Sequence, residues 1–329
     1  MLNISSKKKS LDSDIAVSLN WPGKTILGDL SCIEGLKDKQ SFIIGSPAQL
    51  GDGNSLVHAN NLEFMFHFLD QLKNKIKLVY IDPPFNADQS FFTSDKLKSD
   101  KLKKGKSVDK REIAYHDAWS SDGSTYLQFL WLRLQLIHQL LSDDGSLYVH
   151  CDYRASAYIK LMLDEIFGIE NYVNECIWSY RTGGNSKKLG YAKKHDTIHF
   201  VAKNKSNTLW NGLSEKSYLS HKYGFKNINL AEDENGIYNL VAMRDVWDIA
   251  ALRGNQSERV NYPTQKPESL LERIILASTI QEDLVADFFC GSGTTGVVSS
   301  KLGRRWLLVD SSKVAIKVTK ERLDFKAVL

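Results

Sequence analysis

The chain has 329 residues, 42% of them hydrophobic and 25% charged, which bounds it to an ordinary soluble globular protein with one large core or two unequal ones. No stretch approaches the roughly 18 uninterrupted apolar residues of a membrane span, and residues 1–24 lack the apolar core of a secretory signal, so a cytoplasmic location and no membrane partner are expected. The formal charge of +4 is modest, and the placement of the basic residues says more about partners than their total does.

Residues 1–20 are polar and Ser/Lys-rich at the start, which predicts a mobile arm or a loosely docked extension; residues 1–25 are set apart as an N-terminal extension. Beyond it, apolar runs ending in polar or acidic residues alternate with helical patterns, the order of an open, mostly parallel α/β sheet. A short strand is predicted over 55–59, then a helix over 62–72 with Leu62, Met65, Phe66, Leu69 and Leu72 on one face. A strand over 77–81 runs into Asp82-Pro83-Pro84-Phe85, where two prolines stop the ladder because they cannot donate to it. That tetrapeptide therefore sits at a strand's carboxyl end. Residues 96–111 follow, with eight Lys or Arg against Asp100 and Asp109.

The pattern continues with a helix over 126–141, a turn at 142–145, a strand over 146–151 ending at Asp152, and a helix over 155–167. Strands over 175–180 and 197–202 are close enough to form a sheet-edge pair, and the surrounding segment 181–205 carries seven Lys or Arg against Asp196 alone. Residues 206–258 lose clear periodicity but hold Trp210, Tyr218, Tyr223, Phe225, Tyr238 and Trp247, and read as an inserted subdomain. A helix over 267–278 buries Leu270, Leu271, Ile274 and Ile275. A strand over 284–289, a tight turn at Gly291-Ser292-Gly293, a helix over 295–302, a strand over 306–309 ending at Asp310, and a helix from 313 to about 325 complete the chain.

Cys32, Cys151, Cys176 and Cys290 are too few and scattered for a disulfide framework, and reduced thiols are expected. His195 and His199 are the only i,i+4 histidine pair, in a strand-like segment, so no metal is expected.

A strand, a Gly-x-Gly turn and a helix let backbone approach a ligand closely beside unpaired N–H groups. Asp310, ending the next strand, stands where nucleoside-binding sheets place a carboxylate for the ribose hydroxyls. Taken singly, the turn is also compatible with a structural role and Asp310 with a helix N-cap. A phosphate-binding loop is a near miss, because Val297 follows Gly296 where the phosphate lysine belongs. The pocket favours a nucleoside without a triphosphate.

The tetrapeptide suits a different task. The exocyclic amine of adenine or cytosine is a poor nucleophile because its lone pair is delocalised into the ring. Asp82 and the carbonyl of Pro83 could accept its two N–H bonds and pull the nitrogen toward tetrahedral geometry, while Phe85 offers an apolar face to a flipped base. The basic block just downstream then reads as a DNA-clamping loop through Lys101, Lys103, Lys104 and Lys106, with a solvated charge run as the alternative, and Arg181, Lys187 and Lys188 as further DNA contacts.

Tyr80-Ile81-Asp82-Pro83-Pro84-Phe85-Asn86, followed later by Tyr262-Pro263-Thr264-Gln265-Lys266-Pro267 and by Asp287-Phe288-Phe289-Cys290-Gly291-Ser292-Gly293-Thr294-Thr295, resembles the beta class of DNA amino-methyltransferases. That class includes the modification subunits of Type III restriction systems, and the resemblance covers roughly residues 54–323. It implies a circularly permuted, Rossmann-like methyltransferase sheet, with 26–205 as the catalytic half, 206–258 as a target-recognition region and 259–329 as the cofactor half. It also implies S-adenosyl-L-methionine bound by Asp287, Phe289, Cys290, Gly291, Gly293 and Thr294, with Asp310 on the ribose and Thr264, Gln265 and Lys266 completing the pocket. The chain departs from the pattern at Phe288, where proline is usual, and at Asp310, where glutamate is frequent.

An aspartate opening the tetrapeptide looks like adenine-N6 enzymes, since cytosine-N4 enzymes usually begin with serine. Cytosine-C5 chemistry is set aside because no cysteine follows a proline. The alternatives are a cytosine-N4 enzyme, an amino-methyltransferase of RNA or protein amides, and a catalytically silent DNA-binding subunit. Double-stranded DNA is the expected partner; the family also admits a homodimer and a restriction endonuclease partner.

Overall fold

The computed structural model describes residues 18–31, 33, 42–44, 50, 52–84, 89–92, 113–117, 124–180, 189–219, 229–253, 256–260 and 262–323. The first half of the chain forms β1 (Phe42–Ile44), β2 (Ser55–His58), α1 (Asn61–His67), α2 (Leu69–Leu72), β3 (Ile76–Ile81), β4 (Gln89–Phe92) and β5 (Ile113–Asp117). Next come α3 (Ser124–Leu140), β6 (Leu141–Cys151), α4 (Ser156–Phe167), β7 (Tyr172–Ser179) and β8 (His195–Ala202). The remainder forms β9 (Ser214–Tyr218), β10 (Ala231–Asp233), β11 (Gly236–Ala242), β12 (Val246–Asp248), α5 (Glu268–Ser278), β13 (Leu284–Asp287), α6 (Thr294–Lys301), β14 (Arg305–Asp310) and α7 (Lys313–Leu323).

Nine strands make one sheet in the order β1-β2-β14-β13-β3-β6-β8-β7-β12. The run β2-β14-β13-β3-β6 is parallel throughout, β8 is antiparallel to both β6 and β7, and β12 is parallel to β7. This is the mostly parallel α/β sheet expected from the alternating pattern. Its central strands are buried on both faces, as parallel strands under helices must be: β13 is buried at all four positions, and Val79 and Ile81 of β3 are fully covered. One face packs on α1, α3 and α4 through Leu130, Leu134 and Ile159; the other packs on α5 through Leu271 and Ile275.

From β13 the chain crosses through α6 to β14 on one side, and from β3 it passes to β6 on the other. The divergence opens a crevice between the carboxyl ends of β13 and β3, the place where open α/β sheets bind ligands. Because the five strands run the same way, the aspartates that close them, Asp310, Asp287, Asp82 and Asp152, come to one edge of the sheet.

Four sequence expectations need correction. The helix over 62–72 is two pieces broken at Phe68, so Phe64 rather than Phe66 is fully buried; Leu69 stays half-buried. The turn at 142–145 lies inside β6 as an irregularity, where pairing shifts from Ile76 with Leu141 to Leu78 with Ser146. The pair β7 and β8 is not the sheet edge, because the three-residue β12 adds outside β7. A strand that short shows no alternation in sequence. Within 206–258 there is also a separate antiparallel sheet in the order β10-β11-β9.

The fourth concerns the N-terminal arm, whose described part from residue 18 is fastened rather than loose. Glu165 on α4 accepts from the Leu19 amide at 2.7 Å and from Lys24 Nζ at 2.6 Å, and Trp21 meets Trp131 edge to face at 5.6 Å. Trp131 Nε1 in turn donates to the Thr25 carbonyl at 3.2 Å. Removing the shared acceptor leaves Lys24 half-buried without its carboxylate, so Glu165→Ala is expected to cost about 1–3 kcal/mol in chemical denaturation and to speed tryptic cleavage at Lys24.

Candidate active site

The crevice between β13 and β3 opens into a cavity of about 560 Å³, within the range of small-molecule sites. Asp82 and Pro84 reach it from the end of β3, Asp287 from the end of β13 and Asp310 from the end of β14. Phe289, Cys290, Gly291 and Thr294 line it from the glycine turn and the start of α6, and Thr264 and Lys266 from the segment before α5. Three expected residues do not line it: Pro83, Gln265 and Gly293. Phe85, Lys101, Lys103, Lys104, Lys106, Arg181, Lys187 and Lys188 lie outside the described residues.

Gln265 braces its own loop instead, accepting from the Val260 amide at 2.7 Å and donating to the Glu258 carbonyl at 2.6 Å. Gly293 caps α6 with φ +74°, and a Cβ there would lie 2.5 Å from Thr319 Cγ2 of α7. At Gly291, with φ +51°, a Cβ would lie 3.2 Å from Tyr262 Cε1. Both glycines thus allow left-handed backbone packed against neighbouring protein side chains.

The carboxylates are held in different ways. Lys266 Nζ donates to Asp82 Oδ2, while Asp82 Oδ1 is buried and has no hydrogen-bond partner among the described residues. Asp287 accepts from Thr295 Oγ1 at 2.5 Å and from the Phe289 amide at 2.9 Å, yet burial raises its pKa to about 7. Asp310 receives the Gly291 amide at 2.9 Å and the Ser312 amide at 2.8 Å, so it ties the glycine turn to the start of α7, and burial raises its pKa too. Burial also pushes the Cys290 thiol well up, which keeps it protonated and unreactive.

Several lining residues carried no signal in the sequence. Asn60 and Asn61 follow β2; Phe129 and Arg133 sit on α3 at helical spacing inside an apolar run. Arg133 is 6% exposed, and its Nε donates to Asn61 Oδ1 at 2.7 Å. An arginine within a predicted core helix was the available clue, because a buried cation needs a reason.

The Asp287 shift has a sign that can be tested. Its folded pKa lies above the usual carboxylate value, so the folded state binds the proton more tightly than the unfolded state. Its contribution to stability is full below about pH 4 and is lost as pH rises toward 7. Asp287→Asn removes this loss, so the variant's melting temperature relative to wild type is expected to rise between pH 5 and pH 8 in the ligand-free protein.

Comparison with known proteins agrees with this geometry. Residues 76–321 match the DNA methylase family of N6 and N4 methyltransferases. The chain is 30% identical over 252 residues to Type II methyltransferase M.HpaI of Haemophilus parainfluenzae, covering 77% of this chain and 69% of that one. It is 29% identical over 252 residues to the DNA adenine methyltransferase YhdJ of Escherichia coli (strain K12), covering 76% of each. The fold is similar to that of the PvuII DNA methyltransferase (cytosine-N4-specific), with TM-score 0.53 at 16% identity over 84% of this chain and 88% of that one. With an Asp-Pro-Pro turn and a glycine turn on adjacent parallel strands and a match spanning both, the chain belongs to the DNA methylase family.

Proposed function

We propose that this chain transfers a methyl group from S-adenosyl-L-methionine to the N6 amine of adenine in double-stranded DNA. The observation that carries the reading is the buried Oδ1 of Asp82, a residue of the cavity wall, an acceptor with no donor among the described residues. Leaving such an oxygen unsatisfied is costly, and an amine N–H is the donor that would satisfy it. The relative named as a DNA adenine methyltransferase, YhdJ, supports adenine as the base.

S-adenosylmethionine, when bound, supplies an electrophilic methyl group on a cationic sulfur. The residues fit it: Asp287 and Asp310 offer carboxylates to its cationic and ribose parts, beside a turn of backbone and apolar rings. A cationic ligand next to Asp287 would hold that group ionised against its burial. Lys266 fixes one oxygen of Asp82 and thereby aims the other. Asp82 then draws an amine hydrogen to one side, and it is placed to receive the proton that the amine gives up.

Residues 206–258 serve in this reading as the target-recognition region, supported by the small β9–β11 sheet, which exposes Tyr218 and Leu240. The basic blocks at 96–111 and 181–205 serve as phosphate contacts, supported by their places between β4 and β5 and around the β7–β8 connection. The chain is also 30% identical over 201 residues to the Type III restriction-modification enzyme EcoP15I Mod subunit of Escherichia coli, 57% of this chain and 30% of that one. That likeness supports a restriction endonuclease partner as a candidate to test. A cytoplasmic location goes with a DNA substrate, and no described helix is long and apolar enough to cross a membrane.

Incubation with DNA and methyl-labelled S-adenosylmethionine, followed by nucleoside analysis, is expected to yield N6-methyladenine. Asp82→Ala should lower the rate by at least about 10²–10³-fold while the protein still binds the donor. Label in cytosine, or none in any DNA, would overturn the assignment.

A further inference from the structure

The cavity walls carry charges of both signs, and one buried charge has no counter-ion among the described residues. Arg133 makes three hydrogen bonds to protein: Nε to Asn61 Oδ1 at 2.7 Å, Nη1 to the Phe129 carbonyl at 2.8 Å, and Nη2 to Asn60 Oδ1 at 3.5 Å. Every acceptor is neutral. Among the described residues no carboxylate pairs with it, and a guanidinium has five N–H donors, so two remain unused. Burial alone drags its pKa down to about 9, which still leaves it charged at neutral pH.

A neutral amide side chain could tie α3 to the start of α1 through these same acceptors, at far lower desolvation cost. The charge itself needs a partner. The other described cations on the cavity wall are accounted for: Lys266 is paired with Asp82, and Lys313 is exposed beyond Asp310.

Arg133 stands at a definite part of the wall. Asn61, which accepts its Nε, donates through Nδ2 to the Phe288 carbonyl at 2.6 Å, next to Asp287. Its guanidinium carbon lies 3.5 Å from the centre of the Phe129 ring, and that ring lies 5.9 Å from the ring of Phe289. The cation is therefore on the Asp287–Phe289 side of the cavity.

We propose that Arg133 binds the α-carboxylate of the methyl donor's amino-acid moiety. This rests on the reading of the cavity as the S-adenosylmethionine site. That ligand carries two cations, the ammonium and the sulfonium, and a single anion, the carboxylate. Asp287 offers a carboxylate to the cationic part, and Arg133 matches the anion with a fork of parallel donors.

Calorimetric titration without DNA tests this on the folded chain, using S-adenosylhomocysteine and its neutral α-carboxamide as probes. Wild-type protein is expected to bind the carboxylate form about 10- to 100-fold more tightly than the carboxamide. Arg133→Met should lose that margin by weakening the carboxylate form alone, and Arg133→Lys should regain part of it. Equal wild-type affinity for the two probes would overturn the proposal even if Arg133→Met fails to fold, as would a variant that weakens both probes alike. Wild-type protein that binds neither probe would overturn the cofactor reading and this proposal with it.

Discussion

Parallel pairing of β13 with β3 sets Val285 beside Leu78 and Ala286 beside Val79, and so brings Asp287 and Asp82 to the same end of adjacent strands. Chain order separates the two strands by the whole of β6, β7, β8 and the small β9–β11 sheet. The pairing is stable because both strands are buried on both faces, where an unpaired backbone group would be costly. The crevice, the glycine turn and the Lys266–Asp82 contact, which spans 184 residues, all depend on it.

Within that crevice, charge is arranged at the expense of stability. Asp287 is buried with its pKa raised to about 7 and Arg133 is buried with its pKa lowered to about 9. Each shift records a free-energy cost in the ligand-free fold, and each has the sign that an oppositely charged ligand would reverse. The neutral ties around them hold the geometry meanwhile. Thr295 and the Phe289 amide fix Asp287, and Asn60 and Asn61 fix Arg133. A site built this way is rigid before it is filled, which reduces the ordering cost of binding.

The glycine turn shows how a correct reading can rest on an incomplete reason. Its glycines were expected to let backbone approach a ligand, and Gly291 does line the cavity. Their positive φ values and their contacts with Tyr262 and Thr319 show a further demand, which is packing against α7 and the segment before α5. Asp310 lines the cavity and accepts from the Ser312 amide in the turn before α7, while Ser312 Oγ, not Asp310, meets the Ala315 amide in the first turn of that helix.

The sequence by itself determined the chain order of seven of the nine strands of the central sheet and of the helices between them, the placement of Asp82 and Asp310 at strand ends, and the family; it ran the strand that closes at Asp287 on to residue 289. Those features are local: apolar runs of strand length, prolines that stop a ladder, and a Gly-x-Gly before a helix each act through their own backbone. What only the tertiary structure decided was contact across the chain. Arg133 and Phe129 lie at ordinary spacing on α3, and nothing in that spacing says they face a cavity. Lys266 reaching Asp82, the docking of Trp21 on Trp131, and β12 adding to β7 are likewise settled by packing between distant segments, which leaves no periodic trace in the chain.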